Sequence, residues 1–121
     1  MTAEAEEARG LIDVHSHFLT DHYVRAAITA GHEWPDGIDA WPSWDVTSHL
    51  KLMDSNAIAH SVLSISSPGI WFGDAAQSAE LARHVNDEAA SIAAAYPCQS
   101  QSRTLLLLRL ASATRHPCGP H

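Results

Sequence analysis

The amino-acid sequence predicts an α/β domain with parallel strands. Three observations carry that reading. A short β-branched segment, Leu11–His17, alternates with period two, a second apolar segment follows at Ile58–Ile65, and helical spacing of apolar residues comes after each. The order strand, helix, strand, helix belongs to parallel sheets, and no internal repeat or low-complexity segment competes with it.

In the first strand Ile12, Val14 and Ser16 alternate with Asp13, His15 and His17, which places both imidazoles, and Asp13 with them, on one face. Thr20 or Asp21 caps a helix through about Ala30, with Tyr23, Ala26, Ala27 and Ala30 on its apolar side and Gly31 as its stop. His32 to Trp44 is a loop broken by Pro35, Gly37 and Pro42. Asp45 caps a second helix to about Asn56, with Val46, Leu50 and Met53 at helical spacing. Strand Ile58–Ile65 ends in Ser66-Ser67-Pro68-Gly69. A long helix from about Asp74 to Ala95 aligns Leu81, Val85, Ala89 and Ile92, and Pro97 ends it.

Composition narrows the function classes. At 121 residues, 45% hydrophobic and 17% charged, one core is affordable. The net charge of −7 with scattered Lys and Arg offers no basic face for nucleic acid. The longest apolar run, Leu105 to Leu108, falls far short of the roughly 18 residues of a membrane span. Residues 1–10 read as a disordered acidic leader, neither secretory signal nor transit peptide, so the cytoplasm is the expected location. Cys98 and Cys118 are expected to be free thiols. All fourteen acids lie within residues 1–88, whereas residues 89–121 hold none but carry Arg103, Arg109 and Arg115. Residues 98–121 are therefore read as a divergent tail that does not continue the preceding fold naturally; the competing reading is a basic interaction tail.

The residues with chemistry in them are His15 and His17. Two imidazoles two residues apart on a strand stand about 6 to 7 Å apart at the backbone and are able to chelate one ion. Neutral imidazole suits zinc, iron, nickel or copper, and a catalytic zinc takes three protein ligands and an open position. The end of a strand in an α/β fold is where such sites are built.

Ile12-Asp13-Val14-His15-Ser16-His17-Phe18-Leu19 resembles the first-strand signature of the amidohydrolase superfamily. Trp44-Asp45, Leu52-Met53-Asp54, Ile58 to Ile65 with Ser67-Pro68-Gly69, Phe72-Gly73-Asp74, and Leu81 through Asp87 to Tyr96-Pro97 are similar to its amidohydrolase-related branch. That branch includes decarboxylases of the aminocarboxymuconate-semialdehyde and 6-methylsalicylate types. The likeness covers about residues 11–97 and breaks at Cys98-Gln99-Ser100, where family members continue with a basic and aromatic stretch. It implies a (β/α)8 barrel with a divalent metal, often zinc, at its C-terminal mouth, and makes His15 and His17 the first two ligands. It also implies nonoxidative decarboxylation of an aromatic or muconate-type carboxylic acid, or the sister hydrolysis. The family's further ligand His, metal-binding Asp and proton-transfer His come from later strands, which this sequence does not contain. Since a full barrel takes about 200 residues or more, the expected fold is a partial TIM barrel of the first two βα units with an irregular C-terminal tail. Such a chain is expected to be inactive and to self-associate through open sheet edges.

Other residues carry two readings each. Asp13 is a ligand orienter or a structural strand residue. Trp34, Trp41 and Trp44 roof a pocket or pack down as anchors; Ser66 and Ser67 face the pocket or cap a turn. No Lys or Arg occurs from Ala26 through Leu50, so that stretch offers no cation to a substrate carboxylate. His60 is expected to be structural, and His22, His49 and His84 to face solvent; His116, Cys118 and His121 form a terminal cluster without a scaffold. Two rival functions are a noncatalytic segment that binds a full-length relative and a small His-rich metal-binding protein.

Overall fold

The computed structural model describes residues 10–96 and the backbone of residues 104–107. Residues 1–9 of the acidic leader, Cys98, Cys118, the His116 cluster and the rest of the 98–121 tail apart from residues 104–107 lie outside the described residues. Strand β1 (Leu11–His17) leads to helix α1 (Asp21–Thr29), a 3-10 turn at Pro35–Gly37, and helix α2 (Val46–Ser55). Strand β2 (Ile58–Ser64), helix α3 (Ala75–Ala95) and strand β3 (Thr104–Leu107) follow.

All three strands are parallel, in the order β1-β2-β3. The third strand corrects the expectation of an irregular tail at residues 104–107. After α3 the backbone of residues 104–107 pairs along the edge of β2 that β1 leaves free. The architecture is therefore a mixed α/β sheet and helix layer; closure into a barrel is not seen among the described residues.

The side chains fix each helix start. The Thr20 hydroxyl accepts the Tyr23 amide at 3.1 Å. Asp45 accepts the Ser48 amide at 2.8 Å, and Asp74 accepts the Gln77 amide at 2.8 Å. Each satisfies a backbone donor that the first turn leaves without an intrahelical partner.

On β2 the side chains alternate cleanly: Ala59, Ser61 and Leu63 are buried, while His60, Val62 and Ser64 are half-buried. The first set faces the helices. Leu63 packs there with Phe18, Tyr23, Met53, Leu81, Val85 and Ala89, and Trp41, Trp44 and Phe72 close the periphery. Trp44 meets Phe18 edge to face with ring centres 5.8 Å apart, and Trp41 does the same to Tyr23 at 5.8 Å. Two of the three loop tryptophans are thus anchors.

Strand β1 departs from simple alternation. Leu11 is opposite Ile58, Asp13 opposite Ser61, Ser16 opposite Leu63 and His17 opposite Ser64. One step from Leu11 to Ile12 matches two on β2, and three steps on β1 between Asp13 and Ser16 match two on β2, so β1 holds one extra residue there, a bulge that cancels the first shift. Val14, in that interval, is 74% exposed. Gly10, leading into β1, lies so close to β2 that any side chain there would run into Ala59.

Two stability changes are expected. Met53→Ala, at a fully buried position in the centre of the helix layer, is expected to cost about 2 to 5 kcal/mol in chemical denaturation. Asp45→Ala removes only a cap and is expected to cost about 1 kcal/mol.

Candidate metal centre

The two imidazoles of the first strand converge at its C-terminal end. His15 Nε2 and His17 Nε2 are 3.0 Å apart, with ring centres 4.8 Å apart and planes at 79°. Both residues are exposed. Behind the pair, His17 Nδ1 is 3.3 Å from the Ser64 carbonyl oxygen and 3.3 Å from the Ser64 hydroxyl. The β1–β2 register that sets His17 opposite Ser64 brings these groups together, and the Phe18 amide, donating to Ser64 O at 3.1 Å, continues that register one residue further.

Asp13 does not join the imidazole face. The bulge turns its carboxylate away, so that one oxygen accepts the His15 amide at 3.0 Å and the other accepts the Ser16 hydroxyl. The Ser16 hydroxyl, followed by the His15 amide, holds the Asp13 carboxyl below its usual range. Strict period two, which puts Asp13 beside the histidines, fails at the extra residue.

On the helix side of the sheet lies a second polar contact. His49 Nε2 is 2.9 Å from the hydroxyl of Ser61, and both residues are buried. His49 is therefore not the solvent-facing residue expected of it. It stands three residues after Val46 and four before Met53, the spacing of the apolar stripe itself, and that signal places it inward. Burial pushes its imidazole below the ordinary 6.5, partly opposed by the Asp13 carboxylate.

Two further histidines also differ from the solvent-facing expectation. His22 and His84 are half-buried and stack face to face across α1 and α3, with centres 3.6 Å apart. His60 is half-buried on β2, in keeping with a structural residue. Trp34 is exposed at the start of the 3-10 turn. Ser66 closes the turn after β2, its carbonyl accepting the Gly69 amide at 3.0 Å, and Ser67 is exposed in that turn. Among the described residues, none of Trp34, Ser66 and Ser67 hydrogen-bonds to the imidazole pair. Among the described residues no set of three His, Cys, Asp or Glu side chains converges on one point. Ser64, Ser61 and Ser16 carry the polar contacts of the strands, and a lone serine in a strand gives no sequence signal until the register is known.

Comparison with known proteins follows the same stretch. The chain is 41% identical over 85 residues to the decarboxylase yanB of Aspergillus niger, and 37% identical over 79 residues to the decarboxylase macB of Penicillium terrestre. It is 34% identical over 91 residues to the 6-methylsalicylic acid decarboxylase acuB of Aspergillus aculeatus. Its backbone matches a crystal structure of an amidohydrolase II with a TM-score of 0.69 and 36% identity over 81% of this chain. This is an amidohydrolase-superfamily, decarboxylase-like segment. No family model matches the chain. The alignments take in 67%, 62% and 73% of the chain but only 22%, 22% and 26% of those decarboxylases, and 30% of the amidohydrolase II. The chain thus spans about a quarter of the length of the superfamily relatives it matches. Among the described residues no helix is long and apolar enough to cross a membrane.

The imidazole pair fits a divalent ion. Two nitrogens that bind one tetrahedral zinc at about 2.0 to 2.1 Å stand about 3.3 Å apart. The observed 3.0 Å is close to that, and the bond from Nδ1 to a main-chain oxygen is the usual support of a histidine ligand.

The buried His49 makes stability depend on pH. Its pKa is depressed in the folded state, so the unfolded chain binds the proton more readily. Stability from this group is present above pH 6.5 and is lost as pH falls below it. Chemical denaturation between about pH 7.5 and 5 is expected to show this loss in the parent chain and a shallower slope in His49→Gln.

Proposed function

We propose that His15 and His17 are two ligands of a divalent metal, zinc first among them, in an amidohydrolase-related decarboxylase. The substrate class proposed is a small aromatic or muconate-type carboxylic acid, with hydrolysis as the sister chemistry. The observation that supports this most directly is the approach of the two Nε2 atoms to 3.0 Å at the C-terminal end of a parallel strand. The relatives named for decarboxylation support the reaction type, and the one named for 6-methylsalicylic acid supports the substrate class.

When bound, a divalent metal supplies Lewis acidity that polarises a water or a substrate oxygen. The chain's own residues do the positioning. Ser64 holds His17 from behind, and Asp13, through the His15 amide and the Ser16 hydroxyl, secures the backbone on which both rings sit. Two imidazoles make an incomplete set for catalysis, because a catalytic zinc takes three protein ligands. The chain alone is therefore proposed to bind metal weakly and to leave substrate unchanged.

Isothermal titration with zinc is expected to show one weak site, with binding at least about tenfold weaker in His15→Ala and in His17→Ala. A double variant that binds like the parent would overturn the assignment in favour of a His-rich carrier. Carbon dioxide release from a panel of hydroxybenzoates, 6-methylsalicylate included, is expected to stay at the level of a zinc-only control. Turnover well above that control would refute the incomplete set.

A second reading has its own observation. Leu11 is 64% and Ile12 61% exposed on the sheet's edge strand, an unprotected template for pairing. Association with a full-length relative through β1 would appear as a discrete mixed complex on size exclusion.

A further inference from the structure

We infer that one divalent ion joins two copies of this chain, each giving His15 and His17, so that a second copy completes the tetrahedron that one copy leaves half filled. The inference rests on the metal reading above and adds a partner to it.

Three observations point to a second copy. The first is the ligand count. A zinc site closed by protein takes four ligands, yet among the described residues no third His, Cys, Asp or Glu converges with the imidazole pair. Asp13, on the same strand, is turned away and engaged by the His15 amide and the Ser16 hydroxyl. The second is the face on which the pair stands. Ile12 is opposite His60 and His17 opposite Ser64, so these residues share the side of the sheet away from Ala59, Ser61 and Leu63. All three helices pack on the other side, where Tyr23, Met53 and Leu81 meet Leu63. The third is access. His15 and His17 are both exposed and Ile12 is 61% exposed, so a second chain reaches the imidazoles without moving any helix.

A two-fold axis through the ion makes one contact serve both copies, the pair of one meeting the same pair of the other. Four neutral imidazole nitrogens are a donor set that suits zinc, nickel or copper. Each copy carries a net charge of −7, which opposes close approach without an ion. Association through the pair is therefore tied to metal, unlike pairing along the β1 edge, which needs the backbone alone. At low chain concentration the ion meets one pair and is held weakly, as proposed above; at high concentration a second pair adds to the first. The stoichiometry also sets an upper limit, because an excess of ions gives each pair its own and splits the dimer by mass action.

Light scattering on a size-exclusion column, with the zinc content of each peak measured, tests this on the full chain at neutral pH. Adding about half an equivalent of zinc is expected to raise the mass about twofold over the metal-free chain, with one zinc per two chains. A chelator is expected to reverse the rise, and a large excess of zinc to reverse it as well. His15→Ala and His17→Ala are each expected to lose the zinc-dependent rise while keeping the parent's unfolding transition and any metal-free association, which separates ligation from a fold defect. A zinc complex that depends on both histidines yet stays at the metal-free mass, with one zinc per chain, overturns the inference and leaves the metal reading in place. A zinc-dependent dimer that survives both substitutions assigns the ion to other residues and overturns the inference. Absence of any zinc uptake that depends on His15 or His17 overturns the metal reading, and the inference with it.

Discussion

Pairing β1 with β2 in parallel forces the chain to leave the first strand at one end of the sheet and begin the second at the other. The connection must therefore travel the full length of the strands, and here it carries α1, the tryptophan loop and α2 before Ile58. Everything else in the molecule answers to that ladder. It presses Leu63 and Ser61 against the helices, sets His17 opposite Ser64, and collects the polar chemistry at the ends where both strands finish.

The sheet has two unlike faces. On the helix side, Ser61 and His49 satisfy each other in a buried position, with Asp13 and Ser16 close by on the neighbouring strand. An unpaired polar group buried there would cost more than the contact contributes, so the pairing keeps the layer intact. On the other side, two imidazoles meet in the open, held only from behind. The same few residues of one strand supply the anchoring for both, because the bulge hands alternate groups to opposite faces.

Much of this was legible in the residues. The strand and helix boundaries follow from period two, period 3.6 and three acidic or hydroxyl caps, and β1, α1, α2, β2 and α3 lie within a residue or two of where those signals put them. The imidazole pair is legible because His15 and His17 stand two residues apart at the strand end, His15 within the bulge and His17 just past it. Asp13 precedes the bulge, and nothing local reveals an extra residue whose only trace is the register with a strand 47 residues away. His49 is buried against the expectation from its residue type, because its spacing along α2 places it with Val46 and Met53. The apolar run at Leu105 to Leu108 is too short for a membrane span and gives no local strand signal, because the pairing of residues 104–107 with the open edge of β2 depends on where α3 delivers the chain.

The extra residue in β1 has a consequence for how this segment tolerates changes in length. One step from Leu11 to Ile12 already matches two on β2, and the bulge restores the count before His17 meets Ser64; deleting Val14 would leave that first shift uncompensated and rotate the front half of the strand by half a pleat. Asp13 would then leave the Ser16 hydroxyl for the open side, and the backbone loop that its carboxylate clasps would vanish. Point substitutions at Val14, whose side chain is solvated, disturb none of this. The position is thus permissive in identity and strict in count: the segment needs a residue there far more than it needs a valine.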